Sequence, residues 1–125
     1  LLCEHSERKN LRYDRLEKVT ISALKQSGQG YLPVIGEMLD VKSWISKARD
    51  GEKYIAHCFG SDRIDIRDVK KSRVNTVLIG PEGDFSPVEL DAAIQHGFRA
   101  LSLGDSRLRT ETAGVFICAA FSLIK

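Results

Sequence analysis

The chain has 125 residues, 42% of them hydrophobic and 29% charged, enough to bury a real core in a single globular domain. Lys and Arg number 19 against 17 Asp and Glu, and a net charge of +2 excludes a basic surface strong enough to mark the whole chain as nucleic-acid-binding. Three cysteines without C-x-x-C spacing argue against a disulfide framework or a zinc knuckle and for a reducing compartment; with no apolar run of membrane-spanning length and no visible signal peptide, a cytoplasmic protein without membrane or metal is expected.

In chain order, Leu1-Leu2-Cys3 reads as the tail of a strand whose beginning is missing, so the chain is expected to be a fragment. Residues 4–10 form a polar loop, either merely solvated or presenting cations to a partner. Residues 11–26 carry Leu16, Val19, Ala23 and Leu24 at helical spacing. Gly28-Gln29-Gly30 begins like a dinucleotide fingerprint, but it follows a helix instead of a strand and Pro33 occupies the third glycine's place, so that match is rejected. Residues 31–35 form a short strand or an extended link. Asp40 can cap a helix with Trp44, Ile45 and Ala48 on its inner face, closed by Gly51. Residues 54–59 read as a buried strand with His57 near its carboxyl end, either touching a ligand or simply packed and hydrogen-bonded. Residues 61–73 are a charged link with a short helical piece over 66–71.

The stretch that organises the chain comes next. Val77-Leu78-Ile79 is a short apolar run of the kind buried on both faces of a parallel sheet. Gly80 and Gly83 then remove side chains where a ligand or a second backbone must come close, and Pro81 stiffens the turn between them. Ser86 and Glu89 make a capping box with Pro87 at the first helical position. An ordinary tight strand-to-helix turn is the alternative reading. The helix over 88–96 places Val88, Ala92 and Ala93 inward, Gly97 stops it, and residues 98–103 form the next strand. A second glycine-containing segment over 103–113 leads into a last helix over 113–124 that is apolar nearly all round. Such a helix is either sandwiched inside the domain or placed at a subunit interface, and a dimer is the expectation. Alternating strands and helices call for a parallel sheet covered on both sides.

H-E-x-x-H, the phosphate-binding G-x-x-x-x-G-K and G-x-S-x-G do not occur, so zinc proteolysis, P-loop hydrolysis and the usual serine hydrolysis lose their clearest signals. Two glycine-containing loops, each following a short strand, instead suggest a pocket walled largely by backbone, suited to a flat heterocycle such as a nucleoside-bearing cofactor. Arg107, Arg109 and Glu111 have two readings. Either the arginines are surface charges and Glu111 complements the helix dipole, or an arginine at the pocket rim holds a phosphate or stabilises a developing anion.

Ile79-Gly80-Pro81-Glu82-Gly83-Asp84-Phe85-Ser86, followed by Gly97-Phe98, Ser102-Leu103-Gly104 and Arg107-Leu108-Arg109-Thr110-Glu111-Thr112-Ala113, resembles in order and spacing the C-terminal signatures of the RsmE family. Ser6-Glu7-Arg8 and Gln26-Ser27 before Leu32-Pro33 extend the resemblance over nearly the whole chain. These are SPOUT-superfamily enzymes that methylate N3 of a uridine in small-subunit ribosomal RNA. The resemblance implies an α/β fold, a parallel sheet flanked by helices with a C-terminal trefoil knot, which is an exception to unknotted topology. It implies S-adenosylmethionine held in the knot by Ile79, Gly80, Glu82, Gly83, Ser102, Leu103, Gly104 and Leu108, a homodimer whose interface borders the pocket, and Arg109 as the catalytic cation facing the RNA. Residues 1–125 would then be a SPOUT-type methyltransferase domain without its first strand-helix unit and without the family's N-terminal RNA-binding β-barrel domain. Asp84 stands where the family commonly has glycine, Lys25 and Gln29 where glutamate and arginine are common, and His5 where arginine is common. The alternatives are a non-enzymatic nucleotide- or partner-binding α/β module, and a knotted methyltransferase acting on another RNA site.

Overall fold

The structure, a computed structural model, describes residues 1–47, 50–70 and 72–124. Its centre is a parallel sheet of β1 (Glu52–Ala56), β2 (Ile64–Asp65), β3 (Asn75–Ile79) and β4 (Arg99–Ser102), in the order β2-β4-β1-β3. Its faces are covered by the helices α2 (Val41–Ile45), α3 (Pro87–Gln95) and α4 (Thr110–Leu123), with a 3-10 turn at Ile66–Asp68, and the first helix is α1 (Tyr13–Ser27). The parallel sheet with helices on both faces is as expected.

β1 sits between β3 and β4, pairing Ala56 with Ile79 on one side and with Leu101 on the other. Successive side chains of a strand point to opposite faces, so Tyr54 and Ile55 enter different cores. One face gathers Ile55, Leu78, Phe98, Val41 and Ile45 with Ala93 of α3, and the partly buried Trp44 packs against it. Trp44 and Phe98 meet with ring centroids 6.5 Å apart. The other face joins Tyr54, Leu101, Ile66 and Val69, covered by Ala120, Phe121 and Ile124 from the end of α4.

The cap chemistry holds. The Asp40 carboxylate accepts from Ser43 N at the start of α2, and the Ser86–Glu89 capping box forms at α3 with Pro87 in the first turn. Gly97 takes the left-handed conformation, at φ 83°, that ends α3 and turns the chain into β4.

Several expectations are corrected. Val88 is exposed; Glu89 and Ala93 are the buried positions of α3, because Glu89 turns back to the cap and so sets which face is inside. β1 ends at Ala56, leaving His57, Cys58 and Phe59 in the loop beyond it. The charged link contains a two-residue strand, β2, and its helical piece is only the 3-10 turn; Lys71 lies outside the described residues. Ala48 likewise lies outside them. Residues 31–35 are an extended link with Tyr31 and Val34 almost fully exposed. Leu2 makes a single parallel bridge to Asp40.

α4 is not sandwiched inside the chain: only Ala113 and Ile117 are buried, while Val115, Phe116 and Leu123 are exposed. α1 likewise has no buried residue, and Val19 is 58% exposed.

Candidate cofactor pocket

Because all four strands run the same way, the loops after β1, β3 and β4 emerge at one end of the sheet, where ligands of open α/β sheets bind. They enclose a pocket of about 320 Å³, within the range of roughly 300–1,000 Å³ typical of small-molecule sites. The β3 loop contributes Ile79, Gly80, Pro81, Glu82 and Asp84; the β4 loop contributes Leu103, Gly104, Asp105, Ser106, Arg107 and Leu108. The third wall comes from Ala56, His57, Cys58 and Arg63, and Leu101, Thr110 and Ala113 complete the lining.

Two contacts lock the glycine loops together. The Thr110 hydroxyl at the start of α4 donates to the Gly80 carbonyl at 2.8 Å, and the Arg107 guanidinium donates to the Glu82 carbonyl at 3.2 Å. Arg63 donates in the same way to the His57 carbonyl at 2.8 Å.

Of the residues expected around the cofactor, Ile79, Gly80, Glu82, Leu103, Gly104 and Leu108 line the pocket. Gly83 and Ser102 do not. A Cβ on Gly83 would stand 2.9 Å from the His5 Cβ, so its missing side chain makes room for the N-terminal loop of the chain itself. His5 Nδ1 in turn lies 3.0 Å from the Gly83 carbonyl oxygen, and this residue, which departs from the common pattern, braces the glycine loop from behind. Ser102 is the last residue of β4, and its hydroxyl is 3.4 Å from Gly104 N, where it shapes the turn beneath the pocket. Gly80 is also required from within: a Cβ there would meet Asp84 Oδ1 at 3.0 Å and the Phe85 ring at 3.2 Å.

Arg109 is the N-cap residue of α4, exposed, with extended backbone, and lies beside the pocket rather than in its lining. The arginines that do line it are Arg63 and Arg107.

His57 resolves into a pocket residue with a defined proton. Its Nδ1 accepts from Phe59 N at 3.2 Å, leaving Nε2 as the protonated, donating nitrogen of a neutral ring. Burial lowers its pKa below the ordinary imidazole value, with Asp84 opposing the shift and Arg63 adding to it.

Sequence reasoning missed Cys58, Arg63 and Thr110 as lining residues. The signal for Thr110 was present in the motif; for the loop after β1 it was absent, because nothing local tells that β1 lies between β3 and β4.

The residues present suit a nucleoside-bearing, partly cationic molecule. Ile79, Leu101, Leu103 and Leu108 offer apolar walls, loop backbone offers amides and carbonyls, and the carboxylates of Glu82, Asp84 and Asp105 outnumber the guanidinium groups of Arg63 and Arg107. Among the described residues, no group of His, Cys, Asp and Glu is placed to hold a metal ion, and no helix is long and apolar enough to cross a membrane.

Comparison with known proteins agrees with this architecture. The model of the RNA methyltransferase domain family matches residues 1–122. The chain is 31% identical over 104 residues to the ribosomal RNA small subunit methyltransferase E of Mesomycoplasma hyopneumoniae, covering 82% of this chain and 45% of the relative. Among solved structures, a protein of Porphyromonas gingivalis described as a "probable rRNA-methyltransferase" superposes with a TM-score of 0.85 at 40% identity, over 94% of this chain and 51% of that one. The ribosomal RNA small subunit methyltransferase E of Neisseria gonorrhoeae, solved bound to S-adenosylmethionine, superposes with a TM-score of 0.81 at 29% identity, over 95% and 52%. The chain thus spans about half the length of the relatives it matches. The chain belongs to the RNA methyltransferase domain family, has its SPOUT fold, and stands within it beside the RsmE proteins.

Proposed function

We propose that this chain is the cofactor-binding, catalytic part of an S-adenosylmethionine-dependent methyltransferase acting on N3 of a uridine in small-subunit ribosomal RNA. The observation that carries the reading is the convergence of the two glycine loops on one pocket, locked by the Thr110–Gly80 and Arg107–Glu82 contacts. The SPOUT relationship and the S-adenosylmethionine bound in the Neisseria relative support the cofactor.

When bound, S-adenosylmethionine supplies an electrophilic methyl group. The apolar walls and loop backbone of residues 79–82 and 103–108 would hold it, and the carboxylates of Glu82 and Asp105 would complement its positive charge. Uridine N3 carries a proton at neutral pH, so attack needs that proton released to solvent and the anion stabilised. Arg109, at the rim beside Leu108 and Thr110, is the group we assign to the substrate anion, with positioning of the base supplying much of the rate.

A homodimer completes the reading. α4 lends Thr110 and Ala113 to the pocket and presents Val115, Phe116 and Leu123 outward, so a second copy packed there borders the cofactor. The trefoil knot belongs to the same proposal and rests on the SPOUT relationship.

The test is calorimetric titration of S-adenosylmethionine into the full chain, with methyl transfer to small-subunit RNA measured for the parent and for Arg109→Ala. The expected result is binding by both and a fall of about 10²-fold or more in turnover for the variant. No binding by the parent favours the non-enzymatic module; unchanged turnover removes Arg109 from its role.

A further inference from the structure

Asp84 is the one non-glycine residue with positive φ among the described residues, at φ 60°. It lies in the pocket lining and is only 4% exposed. Left-handed backbone disfavours any residue with a Cβ, and a buried carboxylate needs partners for its oxygens. Both conditions would be relieved by glycine. The chain keeps aspartate, and the structure shows what the carboxylate does.

Its two oxygens serve different segments. Oδ2 accepts from Cys58 N at 2.9 Å, and Oδ1 accepts from Phe85 N at 2.8 Å. The Asp84 N–H donates to the Pro81 carbonyl at 2.8 Å, closing the turn that aims the side chain. The β1–β3 ladder ends at the Ala56–Ile79 pair, so the backbone offers no further tie between these strands. The Oδ2 bond reaches Cys58, two residues beyond that end.

We propose that Asp84 is a positioning residue of the cofactor pocket: its carboxylate staples the loop after β1 to the glycine loop after β3 and so fixes the spacing of two pocket walls. The walls are Ala56 to Cys58 on one side and Ile79 to Glu82 on the other. This rests on the cofactor assignment above for its ligand, though not for its geometry.

The experiment compares Asp84→Gly and Asp84→Asn with the parent full chain by titration with S-adenosylmethionine, thermal unfolding, and hydrogen exchange of the Cys58 amide. Asp84→Gly removes the staple and leaves the Cys58 and Phe85 N–H groups without their acceptor while relieving the backbone, so thermal stability falls only modestly. Its dissociation constant for S-adenosylmethionine rises about tenfold or more, and Cys58 exchange accelerates about tenfold or more. Asp84→Asn keeps one accepting oxygen and falls between parent and glycine variant. A glycine variant with parental affinity and parental Cys58 exchange overturns the proposal. A loss of affinity only in proportion to a large loss of stability also overturns it, because a merely structural role would do that. If the parent itself does not bind S-adenosylmethionine, the cofactor assignment fails, and the staple is judged by Cys58 exchange alone, where an unchanged rate overturns it.

Discussion

Replacing Glu89 by glutamine tests how the glycine loop is held from behind. Glu89 is 1% exposed, and its carboxylate is filled by two backbone donors: Oε1 accepts from Glu4 N at 2.7 Å and Oε2 from Ser86 N at 2.8 Å. One residue thus ties the N-terminal loop to the start of α3. In Glu89→Gln the shape is kept, but one oxygen becomes an NH2 facing an N–H, so one bond is lost and its donor is orphaned. Removing the partner of a buried donor costs about 1–3 kcal/mol, and more when that partner is charged, so the variant should lose about 2–4 kcal/mol. At about 3–5 °C per kcal/mol for a chain of this size, Tm falls by about 6–20 °C. Ser86→Ala removes only the weaker half of the capping box, the 3.3 Å bond from Glu89 N, and should cost about 1 kcal/mol. Thermal unfolding followed by circular dichroism at fixed protein concentration measures both, and trypsin cleavage after Arg8 or Lys9 reports release of the N-terminal loop. A Glu89→Gln melting point within about 2 °C of the parent, or a larger effect for Ser86→Ala, would refute the reasoning.

Two further outcomes follow from local geometry and charge. Gly51 and Gly60 both have positive φ, 89° and 79°, but a Cβ on Gly51 would lie 2.2 Å from the Val74 carbonyl oxygen while one on Gly60 meets nothing within 4 Å; by thermal unfolding, Gly60→Ala should cost about 1 kcal/mol and Gly51→Ala clearly more. The Arg67 guanidinium grips both Asp65 oxygens and holds that carboxyl down to about 2, so its stabilising contribution is present above the ordinary carboxylate range and is lost as pH falls through about 2; a carbon-detected NMR titration should show this midpoint, and Arg67→Ala should raise it.

The local chemistry of this chain was legible because it depends on neighbours in sequence. A proline between glycines, a serine three residues before a glutamate and a glycine after a helix act through backbone geometry within one turn, and the structure reproduces them at Pro81, Ser86 and Gly97. The orientation of α3 departs from the hydrophobic pattern: hydrophobicity puts Val88 inside, whereas Glu89 turns inward to the Ser86 N–H of the cap and to a second donor 85 residues away in sequence, at Glu4. Hydrophobic spacing also described α1 and α4 as helices without telling what their apolar faces meet, since a single chain leaves Val19, Val115 and Leu123 open.

The sequence by itself determined the parallel α/β class and the two glycine loops, because strand runs, caps and turn residues are short-range preferences that survive any tertiary arrangement. Only the tertiary structure decided that β1 lies between β3 and β4, and hence that His57, Cys58 and Arg63 form the third wall of the pocket. It alone explained Gly83 by the approach of His5 and Asp84 by its bond to Cys58. Those contacts join segments 26 and 78 residues apart, and strand order and long-range approach are set by how whole faces pack, which no local pattern encodes.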